Sequence, residues 1–180
     1  MADALQRVYR WAPVATSALR RHGLDSVPVW AILAQIHTES RGYARPERIY
    51  GDAYSAEGLL QIQPGMAETC GYTVAQIDGL EEPWADGERS IECWAEYQSE
   101  FVGDGASIWD HPLAWLGGPG TVRRSREIRG DDATDVEVIF AWYAAADETI
   151  PEAGGATYVW EYLQTWLEAA NAYWRWGRDG

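Results

Sequence analysis

Glu39 is the side chain whose surroundings most directly suggest chemistry. It closes the stretch Val-Pro-Val-Trp-Ala-Ile-Leu-Ala-Gln-Ile-His-Thr, three residues after Ile36 and seven after Ile32. On a helix, that spacing puts its carboxyl on one face with core positions. A carboxyl held against apolar surface is harder to ionise, so its pKa rises and it suits a general acid at neutral pH. The same residue at a fraying helix end would be an ordinary solvated glutamate. Periodicity alone leaves both readings open.

Other kinds of chemistry lack their residues. The sequence contains no GxSxG, no phosphate-binding P-loop, no GxGxxG and no HExxH. Its two cysteines, Cys70 and Cys93, are too few for a disulfide scaffold or a zinc site. They form one bridge if their segments meet, and otherwise stay as buried thiols. His22, His37 and His111 show no ligand spacing with one another or with cysteine. No metal or other cofactor is expected.

The elements that must position Glu39 read as helices. Residues 2–22 carry apolar positions at helical spacing, split in two by Pro13. Asp25 and Ser26 are placed to cap the next helix, with Pro28 in its first turn and its end near Gly42. Residues 43–57 lose the period and gather Tyr, Gly, Asp and Pro, as a loop or small hairpin does. Pro64 opens a short helix that Gly71 stops, and Thr73 with Gln76 fits a capping box. Residues 84–102 form an acidic amphipathic helix with Ile91, Trp94 and Phe101 as core contacts. A short helix from Asp110 to Leu116 ends at Gly-Gly-Pro-Gly, with another at 121–129. Thr134 and Glu137 cap a helix through Ala146, and an aromatic helix spans 155–174. The expectation is a single all-α domain over residues 1–180, with a small irregular or β insert around residues 43–57.

Four segments together resemble the lysozyme-like lytic transglycosylases, over residues 18–165. Gly-Leu-Asp-Ser-Val-Pro-Val-Trp-Ala-Ile-Leu-Ala-Gln-Ile-His-Thr-Glu-Ser looks like their first motif, an apolar helix ending in Glu-Ser. Gly-Leu-Leu-Gln, beginning nineteen residues later at Gly58, looks like the second. Leu-Ala-Trp-Leu-Gly-Gly-Pro-Gly resembles the third, and Ala-Thr-Tyr-Val the fourth, on the final helix. The resemblance implies a lysozyme-like fold and cleavage of the β-1,4 bond between N-acetylmuramic acid and N-acetylglucosamine in peptidoglycan. It makes Glu39 the acid and then the base, with the sugar's 6-hydroxyl attacking to leave a 1,6-anhydro end. It also makes Ser40 and Gln61 sugar-binding residues and sets Tyr158 beside Glu39 to position it. The third motif departs from the family, with Trp115-Leu116 in place of Tyr-Asn. Leu lacks the hydrogen bonds of Asn, whereas Trp115 offers either a stacking face for a sugar or a core side chain.

The interval from Glu39 to Gly-Leu-Leu-Gln also matches the goose-type lysozymes, which carry a Gly-Asp in the insert where this chain has Gly51-Asp52. A carboxylate at Asp52 across a cleft would activate water, as inverting glycosidases require. The family's further Asp is Gln63 here. A catalytically degenerate wall-binding or virion structural protein is the third alternative.

Composition bounds the partners. The chain has 180 residues, 47% of them hydrophobic, which suffices for one core and excludes a disordered chain. Its fourteen basic residues, all arginine, face 28 acidic ones, for a net charge of −14. A chain so charged repels a polyphosphate, so nucleic acid is not an expected ligand. No apolar run reaches the roughly 20 residues of a membrane span. Eleven Trp and ten Tyr against two Phe lean weakly toward sugar binding. The N-terminus has scattered charge and no continuous apolar core, so no secretory signal is read there. The expectation is a monomer made in the cytoplasm that reaches the wall after release, or one carried in a virion.

Overall fold

The computed structural model describes residues 2–44, 56–130 and 132–179. The fold is all-α: among the described residues helices take up 72%, and no strand forms. Among the described residues eight α-helices follow one another as α1 (Ala2–Tyr9), α2 (Ala12–Arg21), α3 (Val29–Ser40), α4 (Pro64–Thr69), α5 (Pro83–Phe101), α6 (Asp110–Arg129), α7 (Asp135–Thr149) and α8 (Gly155–Asp179). Short 3-10 turns, Val74–Gln76 and Pro151–Ala153, precede α5 and α8.

Helix α3 is the centre of the molecule. It lies along α8 and is flanked by α1 and α2. Ala31, Ile32, Leu33, Ala34, Gln35 and Ile36 are six consecutive buried residues, so this helix is enclosed on every side rather than along one stripe. Its burial therefore does not follow the single-face pattern expected for Glu39 with Ile32 and Ile36. Trp11, Trp94, Trp142 and Trp166 fill the core with Leu24, Leu59 and Leu60, which explains how a chain with two Phe supplies enough apolar bulk.

Most expected boundaries appear. The break between α1 and α2 falls just before Pro13, which occupies the first turn of α2 where its missing N–H costs nothing. Both capping boxes form, Thr73 with Gln76 and Thr134 with Glu137. The start of α3 differs. Pro28 is the residue before the helix rather than within its first turn, and no side chain caps it. Ser26 instead donates from its backbone N–H and its hydroxyl to Asp104 Oδ1, at 2.7 and 2.6 Å, tying the α2–α3 connection to the loop after α5.

Cys70 and Cys93 form a disulfide, so of the two states the sequence left open the bridge is the one found. It joins the end of α4 to the middle of α5. Residues 57–62 make a tight turn closed by an isolated antiparallel bridge between Glu57 and Ile62. Most of the expected insert, residues 45–55, lies outside the described residues.

Candidate active site

The C-terminal end of α3 is held by its neighbours before Glu39 makes any contact. Arg41 takes a left-handed backbone at φ 53°, and Gly42 follows at φ 80°. A Cβ on Gly42 would sit 2.9 Å from Val8, so only glycine lets α1 approach this closely. Trp11 Nε1 and Arg10 donate to the Gly42 carbonyl, each at 3.4 Å, and Arg7 donates to the Arg41 carbonyl at 3.3 Å. These bonds satisfy carbonyls that a helix terminus leaves unpaired, and they fix the last turn in space.

On that turn Glu39 Oε1 accepts two hydrogen bonds. Gln35 Nε2, one turn earlier on α3, donates at 2.9 Å, and the Tyr162 hydroxyl of α8 donates at 2.5 Å. Gln35 Nε2 also donates to the Tyr162 oxygen, which closes a three-membered network. Gln35 is fully buried, and its other amide atom, Oε1, has no hydrogen-bond partner. Burial pushes the Glu39 carboxyl up to about 7, against the two hydrogen bonds, which favour its charged form. Burial and the adjacent carboxylate push the Tyr162 hydroxyl well above the ordinary tyrosine range, so it stays a neutral donor. The arrangement is a carboxyl poised between its acid and base forms at neutral pH, with two donors ready for the charge it acquires on losing a proton.

The other residues singled out in the sequence are placed differently. Ser40 is buried, and its hydroxyl donates to the Ile36 carbonyl at 3.1 Å while accepting the Gly42 N–H at 3.2 Å. It finishes the helix instead of facing a ligand, because a serine beside a helix end competes for backbone groups. Trp115 is buried, donates its indole N–H to the Leu60 carbonyl at 3.1 Å and meets Tyr97 edge to face. Of its two possible roles, the structure assigns it the core one, joining α6 to the 57–62 turn. Gln61 holds φ 52° and returns its Nε2 to the Gly58 carbonyl at 3.0 Å, so its amide braces its own turn. Gly58 is required there, since an added Cβ would lie 1.9 Å from the Ile77 carbonyl oxygen. The tyrosine bonded to Glu39 is Tyr162, while the expected Tyr158 is exposed one helical turn before it. Asp52 lies outside the described residues.

Two members of the network, Gln35 and Tyr162, were not picked out from the sequence. Gln35 carried a signal: it is a lone amide inside an apolar run, four residues before the glutamate and hence on its face. Tyr162 carried less, because nothing in a single chain ranks one tyrosine of α8 above another. Among the described residues no group of His, Cys, Asp and Glu is arranged to hold a metal ion, and no helix is long and apolar enough to cross a membrane. No protein-family model matches the chain, and no curated protein matches it.

Proposed function

We propose that the protein is a peptidoglycan glycosidase that cleaves the β-1,4 bond between N-acetylmuramic acid and N-acetylglucosamine, acting as a lytic transglycosylase with Glu39 as general acid and base. The observation that carries this reading is the half-buried Glu39 carboxyl, raised to about 7 and held by Gln35 and Tyr162. The resemblance of the Glu-Ser and Gly-Leu-Leu-Gln segments to that family supports the choice of substrate.

In this mechanism protonated Glu39 gives its proton to the glycosidic oxygen as the bond from the muramic acid C1 breaks, and the N-acetylglucosamine leaves with a free 4-hydroxyl. The new carboxylate is stabilised by hydrogen bonds from Gln35 and Tyr162. Glu39 then takes the proton of the muramic acid 6-hydroxyl as that oxygen closes on C1. The enzyme returns to its starting protonation, and no water is consumed. The substrate's acetamido oxygen supplies the stabilisation that a second carboxylate gives elsewhere. A hydrolase differs in the attacking group and in its base, with water in place of the 6-hydroxyl and Asp52 in place of Glu39 as the base.

The test is mass spectrometry of soluble products from several kinds of bacterial sacculi. Anhydromuramic ends, one water lighter than lysozyme products, are the expected result, and Glu39→Gln should abolish them while leaving the helical circular dichroism spectrum intact. Reducing ends would make the protein a hydrolase and bring Asp52 into the chemistry. Absence of soluble products from every wall, or full activity in folded Glu39→Gln, would overturn the proposal.

A further inference from the structure

We infer that Gln35 is a positioning residue for Glu39 whose amide serves both protonation states of the carboxyl, Nε2 donating to the carboxylate and Oε1 accepting the carboxylic proton once the amide has turned over. Its role in turnover rests on Glu39 being the acid and base, but the coupling itself is a property of the fold.

The inference starts from a buried side chain that is only half satisfied. Gln35 sits in the apolar middle of α3, fully enclosed, and both of its observed hydrogen bonds come from one atom, Nε2. Oε1 is buried without a partner. A buried carbonyl that accepts nothing is costly, and an apolar residue of similar length would fill the same space without that cost. Packing therefore does not account for an amide at this position. What an amide alone offers is a donor and an acceptor exchanged by one rotation about its last side-chain bond.

Glu39 needs that exchange. As a carboxylate it has only acceptor oxygens, and Nε2 at 2.9 Å suits it. Once protonated it bears an O–H, which needs an acceptor, and an N–H facing it is mismatched. Turning the amide over brings Oε1 to the atom that carries the proton and moves the unpartnered position to Nε2. The Tyr162 hydroxyl rotates about its C–O bond and keeps a partner in either state. Among the described residues, the groups acting on the Glu39 carboxyl are Gln35 from α3 and Tyr162 from α8, with Tyr158 acting in turn on Tyr162. His37, also on α3, is engaged elsewhere, its Nδ1 2.8 Å from the Tyr173 hydroxyl.

The experiment is a carbon-13 NMR titration of the Glu39 carboxyl in the full chain and in Gln35→Met, with thermal melts of both. The variant is expected to titrate about one pH unit higher, since the carboxylate has lost a donor, and the melts establish that it is folded. An unshifted midpoint in a folded variant would overturn the inference. Should Gln35→Met not fold, the native chain still decides. The nitrogen-15 and proton signals of the Gln35 side-chain amide should then titrate with the Glu39 midpoint, and signals indifferent to pH overturn the coupling. Neither measurement uses turnover. A titration that behaves as described in a protein that cuts no wall refutes the proposed function alone, and an unshifted titration in a protein that cuts walls refutes this inference alone.

Discussion

Stability at Glu39 runs against its chemistry. A carboxyl whose folded pKa is near 7, against an ordinary 4.5, binds a proton more tightly in the native state than in the unfolded one. Its contribution is complete below about pH 4.5 and is lost as pH rises toward 7, a difference of about 3 kcal/mol. His111 has the opposite sign. Burial holds it down to about 4, so the native state disfavours its proton and stability falls as pH drops from 6.5 toward 4. Between those limits the two slopes oppose each other. Glu39→Gln removes one of them. Urea unfolding should find it more stable than the native chain by about 3 kcal/mol at pH 8, with the gain shrinking toward zero near pH 4. A gain independent of pH would mean that the carboxyl is not held as described.

Helix α6 is the element that departs most from a simple rod. Gly118 breaks it with φ 74° and ψ 175°, and Pro119 starts the second arm. A straight helix would set residues 110 and 129 about 28 Å apart. Instead Arg129 grips both oxygens of Asp110, at 2.7 and 2.6 Å, and Trp142 of α7 donates to the same carboxylate at 2.8 Å. The two arms therefore fold back on each other, closed by an ion pair in which Asp110 is 1% and Arg129 9% exposed. Such a pair contributes little net stability relative to apolar residues, but losing one member strands a buried charge. Asp110→Ala should cost about 3–5 kcal/mol in a denaturant titration, and the double substitution Asp110→Leu with Arg129→Met should recover most of it. A single variant as stable as the native chain would show that the clamp does not hold the hairpin.

For the whole molecule, the Cys70–Cys93 bridge is the one covalent constraint among the described residues. It spans 23 residues of sequence, including the approach to α5. Closing a loop of that length in the unfolded chain is worth about 3 kcal/mol on the chain-entropy account. Thermal melts with and without reductant should therefore differ, the reduced protein unfolding at a lower temperature with its helical signal retained below the transition. Equal melting temperatures would place the stabilisation in packing alone. A bridge of this kind persists in oxidising surroundings.

Local signals settled much of this molecule. The all-α class, the Pro13 break, both capping boxes, the Pro64 start and the two helical arms around the Gly-rich run follow from propensity, capping and turn chemistry, which act within a few residues. Glu39 was also legible, since an acid at the end of an apolar helix departs from the usual pattern. What only the tertiary structure decided is which polar atoms meet. Ser40, Gln61 and Trp115 turned to backbone groups, and Tyr162 rather than its neighbour Tyr158 reached Glu39. Those outcomes depend on how α8 is set against α3 and on what the 57–62 turn lies beside. A hydrogen bond forms or fails over a few tenths of an ångström, whereas residue spacing along a chain specifies only which face a side chain occupies.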